Sequence, residues 1–307
     1  MATATTPARG VGRRPRGTSS GRPLQLGTQL LLQAFCLLLA FTVLYPIAWV
    51  VARSIDPSTL NRPTSLLPEG ATLDAYRAVL TQPTTNPVSF AQLALNTILL
   101  AGGVTIFALA IAVTAAYAFS RLQFPGRSQL MLAVLGVLML PSVAGIAPLF
   151  VLLNRVVIGG FNLRNSLFGV GLAMTSGALP FAIWNLKGYL DTIPKELEEA
   201  ATIDGATRNQ TFLRIVLPLA TPVLAVTAFL VFLGGWTEFY LSWQFLTEPK
   251  NFTLSMALYN MVGQYAGQTP WSRFTAMALI IAVPVAVVYL ALQKYIVGGL
   301  TVGGVKG

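Results

Sequence analysis

Pro194-Lys-Glu-Leu-Glu-Glu-Ala-Ala-Thr-Ile-Asp-Gly-Ala206, running on through Phe212 and Ile215 to Leu217-Pro218, is a polar island between two apolar runs, Ser166 to Trp184 and Leu219 to Tyr240. It holds Glu196, Glu198, Glu199 and Asp204, four of the ten acidic residues in a chain of net charge +10. Acid gathered in this way points to a docking surface. The flanking runs decide the fold. About 20 apolar residues cross the hydrocarbon core as a helix. Working outward gives six such runs: Leu30 to Ala52, Leu93 to Phe119, Leu130 to Leu153, Ser166 to Trp184, Leu219 to Tyr240, and Phe274 to Leu292. With 54% apolar and 10% charged residues among 307, the chain lacks the polar surface of a water-soluble globule. The expected fold is an all-α integral membrane protein of six transmembrane helices.

Orientation follows from the loop cations. Thirteen of the twenty Lys and Arg fall in the N-terminal segment, the second-to-third loop (Arg121, Arg127), the fourth-to-fifth loop (Lys187, Lys195, Arg208, Arg214) and the C-terminal segment (Lys294, Lys306). Both termini, and the acidic island, are therefore expected in the cytoplasm. Residues 1–26, rich in Thr, Ala, Gly, Pro, Ser and Arg, bury too little to fold and read as a disordered basic leader. The six-helix domain is expected over 27–307, with a coupling loop at 187–218 and a C-terminal tail at 294–307. The run after the leader is too long for a signal-peptide core and reads as a signal anchor. Arg13-Arg14 is followed by Pro15 and Arg16 rather than an apolar residue, and reads as basic tail rather than a twin-arginine signal.

Several chemistries lack their parts. Cys36 is the only cysteine, so no disulfide forms within the chain. There is no histidine, the commonest general base near neutral pH. Glu238 is the one charge inside the six runs, so no catalytic or metal-binding set is expected. No G-x-x-x-x-G-K-[ST] phosphate loop occurs, which assigns any nucleotide hydrolysis to another chain.

The island has a readable helix grammar. Pro194 suits the first helical position, and the acids of the first turns complement the positive end of the helix dipole. Ile193, Leu197, Ala200 and Ala201 form one narrow apolar face. Gly205 stops the helix. Thr207 with Gln210 makes a capping box for a second helix whose stripe is Phe212, Ile215, Val216 and Leu219, ended or bent by Pro218 and Pro222. A short helix, a glycine turn and a helix entering the membrane make a compact lever. Its flat alanine-lined face suits a groove in another protein. A surface helix lying on the bilayer is the competing reading, and anionic headgroups would repel these acids.

The run Glu199-Ala-Ala-x-x-Asp204-Gly-Ala206, then Phe212-x-x-Ile215-x-Leu217-Pro218, resembles the EAA loop of binding-protein-dependent ABC importer permeases. Ala116-Tyr-Ala-Phe-Ser-Arg-Leu-Gln-Phe-Pro-Gly-Arg127, Leu179-Pro-Phe-Ala-Ile-Trp184 and Tyr189-Leu-Asp-Thr-Ile-Pro194 resemble its carbohydrate-uptake branch. The ending Gly299-Leu-Thr-Val-Gly-Gly-Val-Lys-Gly307 is similar to the tail of maltose-type permeases. These similarities span roughly 30–307.

The resemblance implies a type I importer half in the bacterial cytoplasmic membrane. Its partners would be a MalF-like second permease, a dimer of MalK-like ATPase subunits and an extracytoplasmic sugar-binding protein, with no nucleic acid. ATP and Mg would sit on the partner ATPase and no cofactor on this chain. Leu197, Glu199, Ala200, Ala201, Asp204, Gly205, Ala206 and Phe212 would form the ATPase-coupling surface, Glu199 meeting a basic group. Gly303, Gly304, Val305 and Lys306 of the tail would make a second ATPase contact. In the last extracytoplasmic loop, Tyr259, Asn260, Gln264 and Tyr265 match the place that probes the binding protein, and an interfacial aromatic belt accounts for them equally. Glu238 reads either as a pathway residue or as a carboxylate solvated at the membrane boundary. The implied solute is maltose or maltodextrin. Another disaccharide or a glycerol-phosphate-like solute is the alternative. A gradient-driven transporter would require more intramembrane acids or an inverted repeat.

Overall fold

A computed structural model describes residues 26–57, 68–262 and 269–304. The chain divides into two compact units, Met1–Ala48 and Trp49–Gly307. In the first, α1 (Leu26–Ser54, whose last turns belong to the second unit) is predominantly apolar and carries Pro46 inside the helix.

In the second unit, α2 (Asp74–Thr81) precedes α3 (Phe90–Arg121). The Ser89 hydroxyl caps α3 by accepting from the Gln92 N–H. Next come α4 (Arg127–Leu138), α5 (Ile146–Arg155), a hairpin of β1 (Val157–Ile158) and β2 (Phe161–Asn162), and α6 (Leu167–Leu190). Gly159 and Gly160 turn the hairpin at φ +56° and +82°, the positive values that a two-residue β-turn of this twist requires. The chain continues as α7 (Glu196–Ile203), α8 (Arg208–Thr211), a π turn over Phe212–Val216, α9 (Leu217–Leu219), α10 (Thr221–Trp236), α11 (Tyr240–Phe245), α12 (Leu254–Tyr259) and α13 (Trp271–Gly304).

Among the described residues five helical segments are long and apolar enough to cross a bilayer, six when the bent pair α4–α5 is taken as one span. The third expected span, Leu130 to Leu153, comprises α4 and α5, bent by 97° at a break between them. Pro141 breaks it, since the ring removes a donor and crowds the preceding turn. Together the pair returns the chain between α3 and α6. Those two helices run the same way, because Gly171 lies beside Leu100 and Val104 while Asp191 lies beside Ser120. α10 runs against them, with Gly235 on Ala101 at one end and Thr227 bonded to Asn185 further along. The fully buried Ala101, Ala108, Ala112 and Ala116 give α3 a smooth stripe for these crossings. Small residues are what bring membrane helices close where no water drives association.

Two apolar clusters fill this frame. One gathers Leu93, Leu100, Val170, Trp236, Phe245 and Met277 near the start of α3. The other gathers Phe119, Ile183, Leu186, Leu190, Ile193 and Val216 near its end. Outward faces carry Ile98, Leu99, Ile106, Phe107, Val283 and Leu290, a surface that requires lipid.

Candidate functional site

The island lies where α3 and α6 end. α7 begins at Glu196, two residues later than Pro194 suggested, and its N-cap Lys195 offers no side-chain cap. Glu196, Glu198 and Glu199 stand in the first turn, where negative charge favours the unpaired N–H groups. At the other end the Ala206 N–H donates to the Ala201 carbonyl (2.9 Å) and the Gly205 N–H to that of Thr202 (3.1 Å). This doubly bonded terminus needs a left-handed residue, and Gly205 supplies it at φ +83°.

The expected capping box is present: Gln210 N–H donates to the Thr207 hydroxyl (3.3 Å), and the Thr207 N–H to Gln210 Oε1 (2.8 Å). Beyond it the Leu217 N–H reaches the Phe212 carbonyl, the five-residue step of a π turn. Pro218 follows at once and cannot bond to Arg214, so the wider turn relieves the clash of its ring.

Four acids that sequence treats alike divide here. Glu198 turns inward. One carboxylate oxygen pairs with Arg121 Nε at the end of α3, and the other accepts from the Tyr117 hydroxyl (3.1 Å). Both partners are largely but not fully buried, with Arg121 and Glu198 side chains 7% and 14% exposed. The same guanidinium donates to the Ile193 carbonyl (2.9 Å) and the Ser120 hydroxyl (3.0 Å). Ser120 in turn donates to Asp191 (2.7 Å), which also pairs with Lys187 (2.6 Å). Burial pushes the Asp191 carboxyl upward, but the Lys187 and Ser120 hydrogen bonds and the Lys187 and Arg121 charges outweigh it and hold it below the usual range. Tyr117 also packs on Phe212, ring centroids 4.7 Å apart.

Glu196, Glu199 and Asp204 stay exposed, and Glu199 lies on the rim of a cavity of about 500 Å³ that also includes Arg121, Thr202 and Arg208. The apolar face differs from expectation. Ile193 and Ala201 are buried, whereas Leu197 is 45% exposed and Ala200 is exposed as well. Ile203, 87% exposed, joins Leu197 as an apolar projection among the acids. Ala206 and Phe212 are half-buried, and Gly205 is exposed. The residues expected to couple therefore split into an outward set (Leu197, Glu199, Ala200, Asp204, Gly205) and a more inward set (Ala201, Ala206, Phe212). Sequence gave no sign of Arg121 as their anchor beyond its place among the loop cations.

At the opposite end, Asn96 donates to the carbonyls of Lys250 (2.7 Å) and Phe252 (2.8 Å). Asn165 accepts from the Thr247 N–H (2.8 Å) and Arg164 donates to the Phe245 carbonyl (2.7 Å). These bonds pin the segment after α10 to the helix frame. Tyr259 is exposed and stacks on Phe239 at 4.9 Å. Asn260 lines a cavity of about 600 Å³ with Thr81, Gln82 and Arg273. Gln264 and Tyr265 lie outside the described residues.

Glu238 lies in the break between α10 and α11, inside the apolar stretch Thr221–Phe245. It accepts from the N–H groups of Leu241 (2.5 Å) and Ser242 (3.1 Å) and from the Ser242 hydroxyl (2.6 Å). The carboxylate thus satisfies the start of α11. Gly303 and Gly304 belong to α13, so the end of the chain is helical as far as Gly304 rather than an extended tail, and Val305 and Lys306 lie outside the described residues. Among the described residues no acidic, His or Cys cluster suited to a metal occurs.

Residues 108–302 match the family described as "binding-protein-dependent transport system inner membrane component". The trehalose/maltose transport system permease protein MalG of Thermococcus litoralis is 36% identical over 281 residues, covering 91% of this chain and 97% of that protein. The galactooligosaccharides transport system permease protein GanQ of Bacillus subtilis is 34% identical over 286 residues, covering 93% and 97%. A solved bacterial ABC transporter involved in importing the acidic polysaccharide alginate shares the fold, with TM-score 0.70, 22% identity and coverage of 92% and 100%.

Proposed function

The chain belongs to the family of binding-protein-dependent transport system inner membrane components, and from that premise we propose that it is one permease half of an ATP-driven sugar importer. The observation that carries this reading is the two-sided α7: its outward edge offers Glu199, Asp204, Leu197 and Ile203, while its inward edge is fastened by Glu198 to α3. A helix exposed on one side and anchored on the other is built to pass force from a partner to the spans. The partner is an ATPase dimer whose cleft receives α7, with ATP and Mg bound there. A second permease subunit completes the pathway, and an extracytoplasmic binding protein delivers the solute at the Asn260 end.

The solute is a maltose- or trehalose-class oligosaccharide. The trehalose/maltose and galactooligosaccharide permeases among its relatives support this solute class. Glu199→Lys tests the reading in vesicles carrying the whole transporter. The variant is expected to insert normally, lose ATPase on co-purification and abolish uptake. Normal uptake refutes the coupling role.

A further inference from the structure

We propose that Arg121 and Glu198 form a transmission joint, a pair of positioning residues that makes α7 move as one body with the ends of α3 and α6. The inference rests on the coupling reading above and adds to it which residues carry the motion inward.

Three features point to a joint. The first is reach. From the last residue of α3, Arg121 grips Glu198 on α7 through Nε and the Ile193 carbonyl through another nitrogen, and through Ser120 it is linked to Asp191 at the end of α6. One guanidinium thus spans three elements, a task its planar fork performs and a lysine ammonium does not.

The second is partial burial. Exposed ion pairs are weak and easily remade, but this pair sits at the wall of a cavity with only 7% and 14% of its side chains exposed, so separating its members leaves each charge poorly solvated. The joint is consequently stiff.

The third is placement. Apart from this pair α7 is held by the buried Ala201 and by the chain itself, through the Ile193-Pro194 link before it and the left-handed Gly205 turn after it. Without the pair, a push on the outward edge would swing α7 about these two links instead of displacing α3 and α6. The tilted Tyr117–Phe212 ring contact provides a second strut toward α10, and Tyr117 also holds the second oxygen of Glu198. Adjacent glutamates thereby take opposite tasks: Glu199 meets the partner, and Glu198 transmits.

The test uses the complete transporter in vesicles and reads three quantities: ATPase retained on purification, ATP hydrolysed, and solute moved per ATP. Wild-type uptake must first require the ATPase; if it does not, the parent reading fails before any variant is made. Glu198→Ala and Arg121→Ala are expected to keep the ATPase attached and hydrolysing, because the outward edge is intact, while solute moved per ATP falls on the order of tenfold. Glu199→Lys is expected to show the reverse pattern, with loss of attachment. The double exchange R121E/E198R should recover part of the ratio but not all, since a carboxylate at 121 cannot donate to the Ile193 carbonyl.

Should the alanine variants fail to assemble, Glu198→Gln and Arg121→Lys, which keep a polar partner, are read by the same ratio and are expected to be partly uncoupled. A wild-type ratio in these variants overturns the joint. So does loss of ATPase attachment equal to that of Glu199→Lys, which would make the pair a support for the docking face alone. Absence of any recovery in the double exchange overturns the pairing.

Discussion

Gly234 and Gly235 are neighbours in α10 with opposite surroundings, and substituting each in turn measures how tightly α10 is seated on α3. A Cβ at Gly234 meets nothing within 4 Å, whereas one at Gly235 lies 2.8 Å from the Ala101 Cα and 3.2 Å from its Cβ. Carbon atoms rest about 3.5–4.0 Å apart, so Gly235→Ala must push α10 away from α3 by up to about 1 Å. The obstructing atom is backbone and cannot rotate aside. Overpacking of this kind costs about 1–3 kcal/mol. Both substitutions remove a helical glycine and gain up to about 1 kcal/mol of helix propensity. Their difference therefore isolates the contact. We expect Gly235→Ala to be less stable than Gly234→Ala by about 1–3 kcal/mol in detergent-titration unfolding. Ala101→Gly in the Gly235→Ala background should restore only part, because it removes the 3.2 Å contact and leaves the 2.8 Å one. Equal stability of the two alanine variants would refute the reasoning.

Three further outcomes are expected. At Gly205, where only the left-handed backbone and no neighbour opposes a side chain, Gly205→Val should cost about 1–2 kcal/mol and loosen α7, read by hydrogen exchange, with Gly205→Asn milder; Val tolerated as well as Asn would contradict this. Glu238→Ala should destabilise α11 by about 1 kcal/mol through loss of its N-terminal acceptor while Glu238→Gln keeps uptake, and a folded but inactive Gln variant would instead favour a pathway role. Because Asp191 is held below the usual carboxylate range, its contribution is complete above the unfolded carboxyl value and fades as pH falls through the lowered one; Asp191→Asn should flatten this acid limb in unfolding measurements, and an unchanged limb would show that Asp191 is not its source.

The parts legible in sequence are those governed by local rules. Hydropathy located the spans, Thr207 with Gln210 announced a cap that forms, and Gly205 announced a turn that occurs at positive φ. Where distant partners decide, sequence reading failed. Hydropathy located the third run, whose helices α4 and α5 together return the chain between α3 and α6, but it did not show the 97° bend within it. Leu197 and Ala200 matched a helical stripe with Ile193 and Ala201, yet only the latter two find cover. Glu238 read equally as a pathway residue or a boundary carboxylate, because composition does not show the N–H groups at the start of α11 that it accepts from. The fixed geometry of 245–254 rests on Asn96, Thr97, Arg164 and Asn165, partners some 80 to 157 residues away.

Glu198 and Glu199 show why this distinction bears on mechanism. Successive residues on a helix are separated by about 100° of arc, so one acidic pair can address two surfaces at once. Composition counts both as charge on a docking face. The position of Arg121 breaks the tie, because its buried guanidinium needs a carboxylate and only residue 198 points toward it. The inner acid then fixes the helix on which the outer acid is displayed. Recognition and transmission are in that case separable by mutation, a property that neither an acidic loop lying on the bilayer nor a lever held only by its covalent ends would have.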